Sequence, residues 1–221
     1  MVHPPKDSVE LEAFLGWSTG KDLLGANLED VLSQSHSNLE GASPKKAFVT
    51  SWERTRKKLL EPIVADGRLD NHAFLFEFRP IPARGFSVDV VILGTAISGE
   101  PRITIVEVKM WDRVTKVKGG YCYLGSKEER HPLDQAKFYA SNIKLMHSIC
   151  TQLGGCVTSC SFVPLTTPKA GTGNQKMLKY PKPGSPNFLT VDELIDFNLS
   201  HAPNGHDVNH LKVLKSRKLH T

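Results

Sequence analysis

Three short apolar runs, close together and separated by turn residues, constrain this chain more than any other feature. Ala73 to Arg79 reads AFLFEFR, Phe86 to Leu93 reads FSVDVVIL, and Arg102 to Lys109 reads RITIVEVK. Each has strand length and is rich in β-branched or aromatic residues. Pro80, Pro82 and Gly85 mark the first link, and Gly94 to Pro101 form the second. A parallel crossover needs a dozen residues or more, so links this short imply an antiparallel meander.

The flanks read as helices and one further strand. Phe48, Trp52, Leu59, Leu60 and Ile63 recur near helical spacing, which predicts a helix from about Lys45 to Ala65. Ser43 and Pro44 supply its cap and first turn, and Pro62 predicts a kink or an early stop. Residues 112–130, full of glycine and charge, read as a loop long enough to be mobile or functional. His131 to Cys150 reads as a helix with an apolar stripe through Ala136, Tyr139 and Ile143. Cys156 to Val163 is a fourth strand, ended by Pro164. Residues 166–187 read as a long surface loop. Thr190 and Glu193 form a capping box for a final helix. The order α-β-β-β-α-β is that of an α/β domain with a central mixed sheet flanked by helices. Residues 7–40 carry short helical patterns, with Asp7 or Ser8 and Asn27 as caps. This divides the chain into a helical extension (1–44), a core domain (45–200) and a basic tail (201–221).

Composition narrows the class. Of the 221 residues 39% are hydrophobic, enough for a packed core, and the formal charge is +5. No apolar run is long enough for a membrane span, and the N-terminus lacks a signal-peptide pattern, so a cytoplasmic protein with no membrane partner is expected. The mild basic excess suits a polyanionic partner without requiring one. Lysine and arginine cluster from Lys212 to Lys218, a solvated tail or a phosphate-contacting arm. Cys122, Cys150, Cys156 and Cys160 read as reduced thiols in a cytosolic protein; a zinc site shared with His201, His206 and His210 is the alternative.

Asp89 interrupts an apolar strand, and burying an ionised carboxylate without a partner is costly. Glu107 and Lys109 end the next strand two residues apart, hence on one face. If the strands pair, Asp89 lies beside Glu107, and two adjacent carboxylates call for a cation between them. A hard divalent ion, Mg²⁺ or Mn²⁺, answers that need, with Lys109 adding positive charge. Such a group suits phosphodiester hydrolysis. The plain alternative is a salt bridge between Lys109 and a carboxylate.

The pattern FSVDVVILG, a loop, then ITIVEVK resembles the PD-(D/E)XK nuclease superfamily, whose core is also α-β-β-β-α-β. Asp89 matches its first acidic position, and Glu107-Val108-Lys109 matches E-x-K. Gln135 to Tyr139 resembles the Q-x-x-x-Y motif of the RecB-like branch. Val88 stands where the family's proline would be. The resemblance spans about residues 45–165 and implies a restriction-endonuclease-like core and a metal-dependent nuclease that hydrolyses phosphodiester bonds in DNA. It implies Asp89, Glu107, Lys109 and Gln135 as catalytic. It places the metal on Asp89, Glu107 and the Val108 carbonyl. Glu53 or Glu77 would be an accessory carboxylate, with Glu61 and Glu10 competing. Tyr139, Lys116 and Lys118 would contact nucleic acid, DNA or RNA. Trp111 reads as packing rather than base stacking. Ser51-Trp52, Glu77-Phe78-x-x-x-Pro and Lys109-Met110-Trp111 are similar to nuclease-like domains fused to bacterial ATPases or helicases. That likeness implies a motor partner, or a motor beyond this chain's end, and a role in repair or anti-phage defence. No Walker A motif occurs. Pairing into a homodimer is a further expectation. The alternative from another class is a catalytically silent module that binds nucleic acid or a partner protein.

Overall fold

The computed structural model describes residues 16–24, 46–78, 87–99, 101–111, 113–146, 157–164, 173–178 and 186–199. The helices expected near Asp7–Leu15 and Asn27–Leu32, the tail at 201–221, and Cys150, Cys156 and the three late histidines lie outside them.

The apolar runs form strands β2 (Ala73–Phe78), β3 (Val88–Thr95) and β4 (Pro101–Val108). They pair antiparallel, with Val91 opposite Leu75 on one side and Ile105 on the other. Helix α1 (Lys46–Thr55) precedes them and runs through a π-helical turn (Arg56–Leu60) into α2 (Glu61–Asp66). Pro62 does not stop this helix. In the wide turn Glu61 N–H donates to Arg56 O, five residues back. A proline ring normally collides with the carbonyl four residues earlier. The π turn just ahead of Pro62 is the local adjustment that such a helix uses. Gly67, in the left-handed region at φ 77°, ends it.

Helix α3 (Pro132–Met146) then crosses to β8 (Val157–Phe162), which lies parallel to β4. Two short strands complete the sheet. β1 (Gly16–Thr19) pairs antiparallel with β2, and β9 (Asn187–Phe188) pairs parallel with β8. The order is β1-β2-β3-β4-β8-β9, a mixed six-stranded sheet with helices, which is an α/β fold. Helix α5 (Val191–Leu199) follows, with the expected box. Glu193 N–H donates to Thr190 Oγ1 (3.3 Å), and Thr190 N–H to Glu193 Oε2 (3.3 Å). No helix among the described residues is long and apolar enough to cross a membrane.

Three readings of the sequence are corrected. Gly16–Thr19, assigned to a helical extension, is the edge strand of the main sheet. Residues 112–130 are not a loop: they hold β5 (Lys116–Lys118), β6 (Tyr121–Leu124) and β7 (Lys127–Arg130), a second antiparallel sheet. Gly119 and Gly120 join its first hairpin with φ of 59° and 84°, the conformation that two-residue hairpin turns require. The stretch 166–187, read as loop, contains α4 (Gly173–Leu178) and the first residue of β9.

The core divides on the two faces of the sheet. Phe74, Phe76, Val90, Ile92, Val106 and Phe162 pack beneath the α1–α2 helix and α5. Leu75, Val91, Ile103 and Ile105 pack beneath α3 through Tyr139 and Ile143. Each large side chain so buried contributes about 1.5–3 kcal/mol relative to exposure. A third cluster, Val114, Cys122, Val163 and Met177, ties the small sheet to the main one.

Candidate active site

Period two places Asp89 with Val91, and Glu107 with Ile105, on the α3 face of the sheet. The register Val90↔Val106 continues to set Asp89 opposite Glu107 at one end of β3 and β4. Asp89 is the second residue of β3, at its start rather than in mid-strand. Its Oδ2 accepts a 2.8 Å hydrogen bond from Val108 N–H, which fixes the carboxylate across the strand gap. Lys109 lies just past β4, where its own N–H donates to Phe162 O of β8 (3.0 Å). Its Nζ reaches back to Glu107 Oε1 at 2.5 Å and lies 5.9 Å from the Trp111 ring centre. The salt bridge of the plain alternative is therefore present.

Glu107 is 1% exposed, and its Oε2 has no hydrogen-bond partner. Burial, and then the Asp89 charge, push its pKa up to about 8. Burial also raises the pKa of Asp89, against the pull of Lys109 and Val108 N–H. Burial opposes the charge on Lys109, but Glu107 and Asp89 outweigh it and hold the ammonium protonated. Two carboxylates share one ammonium here, and the raised pKa of Glu107 reflects a cost of ionising both that a bound cation would relieve.

Of the two accessory carboxylates, Glu77 belongs to this group. Its charge raises the Glu107 pKa, and Ser87 Oγ–H donates to Glu77 Oε2 at 2.6 Å. Glu77 has φ 49°, the one non-glycine residue with positive φ among those described. A strand residue in that region is strained, and such strain clusters at functional sites. Glu53 is exposed on α1, whose apolar side covers the opposite face of the sheet. Glu61 lies on the same helical path and pairs with Arg56 at 3.5 Å.

On α3, Gln135 Nε2–H donates to Tyr139 Oη at 2.8 Å, the one-turn pairing that i,i+4 spacing allows. The Tyr139 ring is buried on the sheet, and burial followed by the Glu107 charge raises its pKa. Tyr139 is thus both core and neighbour of the carboxylates. Lys116 and Lys118 are exposed on β5, with Lys116 Nζ 5.3 Å from the Tyr123 ring centre. They belong to the small sheet and not to the carboxylate group.

Two parts of this region were invisible in the sequence. Ser87 gave no signal beyond a polar residue in an apolar run. His131 caps α3: its Nδ1 accepts from Leu133 N–H (3.1 Å), which leaves Nε2–H facing Met177 O (3.1 Å). Cys122 and Cys160 are free and buried in separate clusters. Burial raises the Cys122 thiol to about 12 and raises Cys160 as well, so both are packed, unreactive thiols.

Among the described residues no group of three His, Cys, Asp or Glu side chains is placed to hold a metal by itself. Magnesium commonly takes only one or two carboxylates, with waters and substrate phosphate completing its shell. Asp89 and Glu107, acidic, adjacent and with one oxygen unpartnered, fit that smaller demand. Comparison with protein-family models, with curated proteins and with solved structures returned no match.

Proposed function

We propose that this chain is a divalent-cation-dependent nuclease of the PD-(D/E)XK kind, acting on phosphodiester bonds in DNA or RNA. The observation that carries the proposal is the buried Glu107 carboxylate beside Asp89, with the Lys109 ammonium on the same face. The element order supports it: a helix, three antiparallel strands, a crossover helix and a parallel strand are those of a restriction-endonuclease-like core. Burial alone does not explain placing two carboxylates together where apolar residues would pack.

Asp89, Glu107 and the Val108 carbonyl would hold Mg²⁺ or Mn²⁺. A bound cation polarises a phosphoryl oxygen and acidifies its water. The chain's own groups do the rest. Val108 N–H keeps Asp89 in one orientation. Lys109, held protonated by both carboxylates, shifts from Glu107 toward the negative charge that builds on the phosphoryl oxygens. Gln135 positions the Tyr139 hydroxyl at the mouth of the group. Glu77, held by Ser87, adds an accessory carboxylate. A motor partner, a homodimer and a place in repair or defence rest on the resemblance alone.

The Lys109–Glu107 pair also favours a second reading, a silent module in which lysine replaces the cation. One experiment separates them. The purified chain is incubated with labelled single- and double-stranded DNA and RNA, in Mg²⁺, Mn²⁺ or EDTA, beside Lys109→Ala and Asp89→Ala. Metal-dependent cleavage that falls at least about 100-fold in both variants is expected. Nucleic-acid binding without cleavage in any metal would establish the silent module.

A further inference from the structure

We infer that a cleft between the small sheet and α3 holds one unpaired nucleotide of a single-stranded nucleic acid. The inference rests on the nuclease reading for its role, but the cleft stands on its own geometry. It has a volume of about 360 Å³ and is lined by Gly119, Gly120 and Tyr121 of the β5–β6 hairpin, Arg130 of β7, and Asp134, Lys137, Phe138 and Ser141 of α3. That volume is at the small end for ligand pockets, right for one nucleotide and too small for a duplex.

Its lining has the chemistry of a strand-binding groove. Large apolar side chains left exposed in the described residues number four, and two of them, Tyr121 at 43% and Phe138 at 42%, face this one cleft. The Arg130 guanidinium lies over the Phe138 ring, 5.2 Å from its centre. Aromatic faces and a guanidinium plane are the surfaces on which unpaired bases stack, whatever their sequence. Asp134 is the single carboxylate in the lining, against the cations Arg130 and Lys137. Residues 113–146 hold seven lysines and arginines and three carboxylates, a net +4 of the chain's +5. The cleft therefore lies in a basic stretch of the chain and its own lining has two cations to one carboxylate, which suits a phosphate backbone.

Position links the cleft to the proposed chemistry. Residues 134, 137, 138 and 141 follow the i, i+3, i+4, i+7 rule on one side of α3, while Tyr139, bonded to Gln135, feels the charges of Glu107 and Asp89. Phe138 and Tyr139 are neighbours, ring centres 6.0 Å apart. A strand stacked on Phe138 therefore passes over one helix, about 10 Å across, to reach Asp89 and Glu107. Gly119 and Gly120 line the cleft without side chains, and a Cβ at Gly119 would meet nothing within 4 Å.

The test is binding, read in EDTA so that cleavage plays no part. Fluorescence anisotropy with labelled single-stranded DNA, single-stranded RNA and the matching duplex is measured for the full chain and for Phe138→Ala, Tyr121→Ala and Phe138→Trp. Both alanine variants should weaken single-strand binding about 10-fold, with duplex binding unchanged. Phe138→Trp should restore it. The DNA and RNA arms tell which strand the cleft takes. Equal affinity for duplex and single strand in the parent chain, or alanine variants that bind as the parent does, overturns the inference. Circular dichroism of each variant excludes misfolding as the cause of any loss. Because Asp89→Ala leaves the cleft intact, its binding with no cleavage separates a failure of the cleft from a failure of the nuclease reading.

Discussion

A lysine ammonium 2.5 Å from a buried carboxylate can serve as a permanent counter-ion or as a charge released to a substrate. The two roles differ in what Glu107→Gln does. Glutamine keeps the shape and removes one buried charge, and Asp89 remains to balance Lys109. If the site is kept for chemistry, the variant should be more stable by about 1 kcal/mol, or roughly 2–4 °C in Tm, while cleavage disappears. If the pair exists for stability, Tm should fall instead, because Lys109 loses its 2.5 Å partner and keeps only the Asp89 charge. Differential scanning fluorimetry beside a cleavage assay decides it. Added Mg²⁺ is expected to raise the Tm of the parent chain, since a ligand of the folded state alone stabilises it, and to leave Glu107→Gln unmoved. Aspartate, E-x-K and Q-x-x-x-Y were legible because each depends on local period. Two residues along a strand share a face, and four along a helix share a side. The strain at Glu77 was not legible, since a positive φ inside a strand is not set by side-chain period.

Elements fit together here through contacts that no local pattern announces. His72 precedes β2 and is 6% exposed, and neither ring nitrogen has a hydrogen-bond partner. Its ring lies against Gly94 of β3, where a Cβ would come within 1.9 Å of His72 Cδ2. Gly94→Ala should therefore cost about 1–3 kcal/mol, and His72→Ala should recover part of it in a double-mutant cycle measured by urea unfolding. Burial alone lowers the His72 pKa to about 4. The unfolded imidazole takes a proton near pH 6.5, and the folded one only near pH 4. The stability from keeping it neutral is full above pH 6.5 and is lost as pH falls toward 4. Between pH 7 and pH 4.5 the parent should lose about 2–3 kcal/mol more than His72→Leu. Equal losses would show that the ring accepts its proton without strain on the fold. At the same end of the sheet, where Arg102 lies opposite Gly94, α5 is held by its capping box and by buried Arg102, which donates to Phe197 O and lies over that ring. The box could be read from Thr190 and Glu193. The arginine could not, because Arg102 opens a strand far away in the chain.

The molecule as a whole distributes its charge unevenly, and that asymmetry has a measurable consequence. With a net +4 over residues 113–146, single-strand affinity should fall steeply with salt. Lys118→Ala should flatten the log–log slope by about 0.7, the share of one phosphate contact on a single strand. An unchanged slope would remove Lys118 from the contact surface. The sequence by itself determined the strands β2, β3, β4 and β8, the helices around them, and the common face of Glu107 and Lys109. All of these follow from side-chain period over a few residues. Tertiary structure decided which segments joined that frame. It drew Gly16–Thr19 to the sheet edge, where open backbone groups of β2 could be paired. It folded residues 113–130 into a second sheet whose few apolar side chains found cover on Val163, Met177 and Leu178. It left Glu53 on the outer side of a helix that packs across the sheet from the carboxylates. It also set Tyr121 and Phe138 on one cleft. Each of these depends on pairing or burial between residues distant along the chain, and such contacts leave no trace in local spacing.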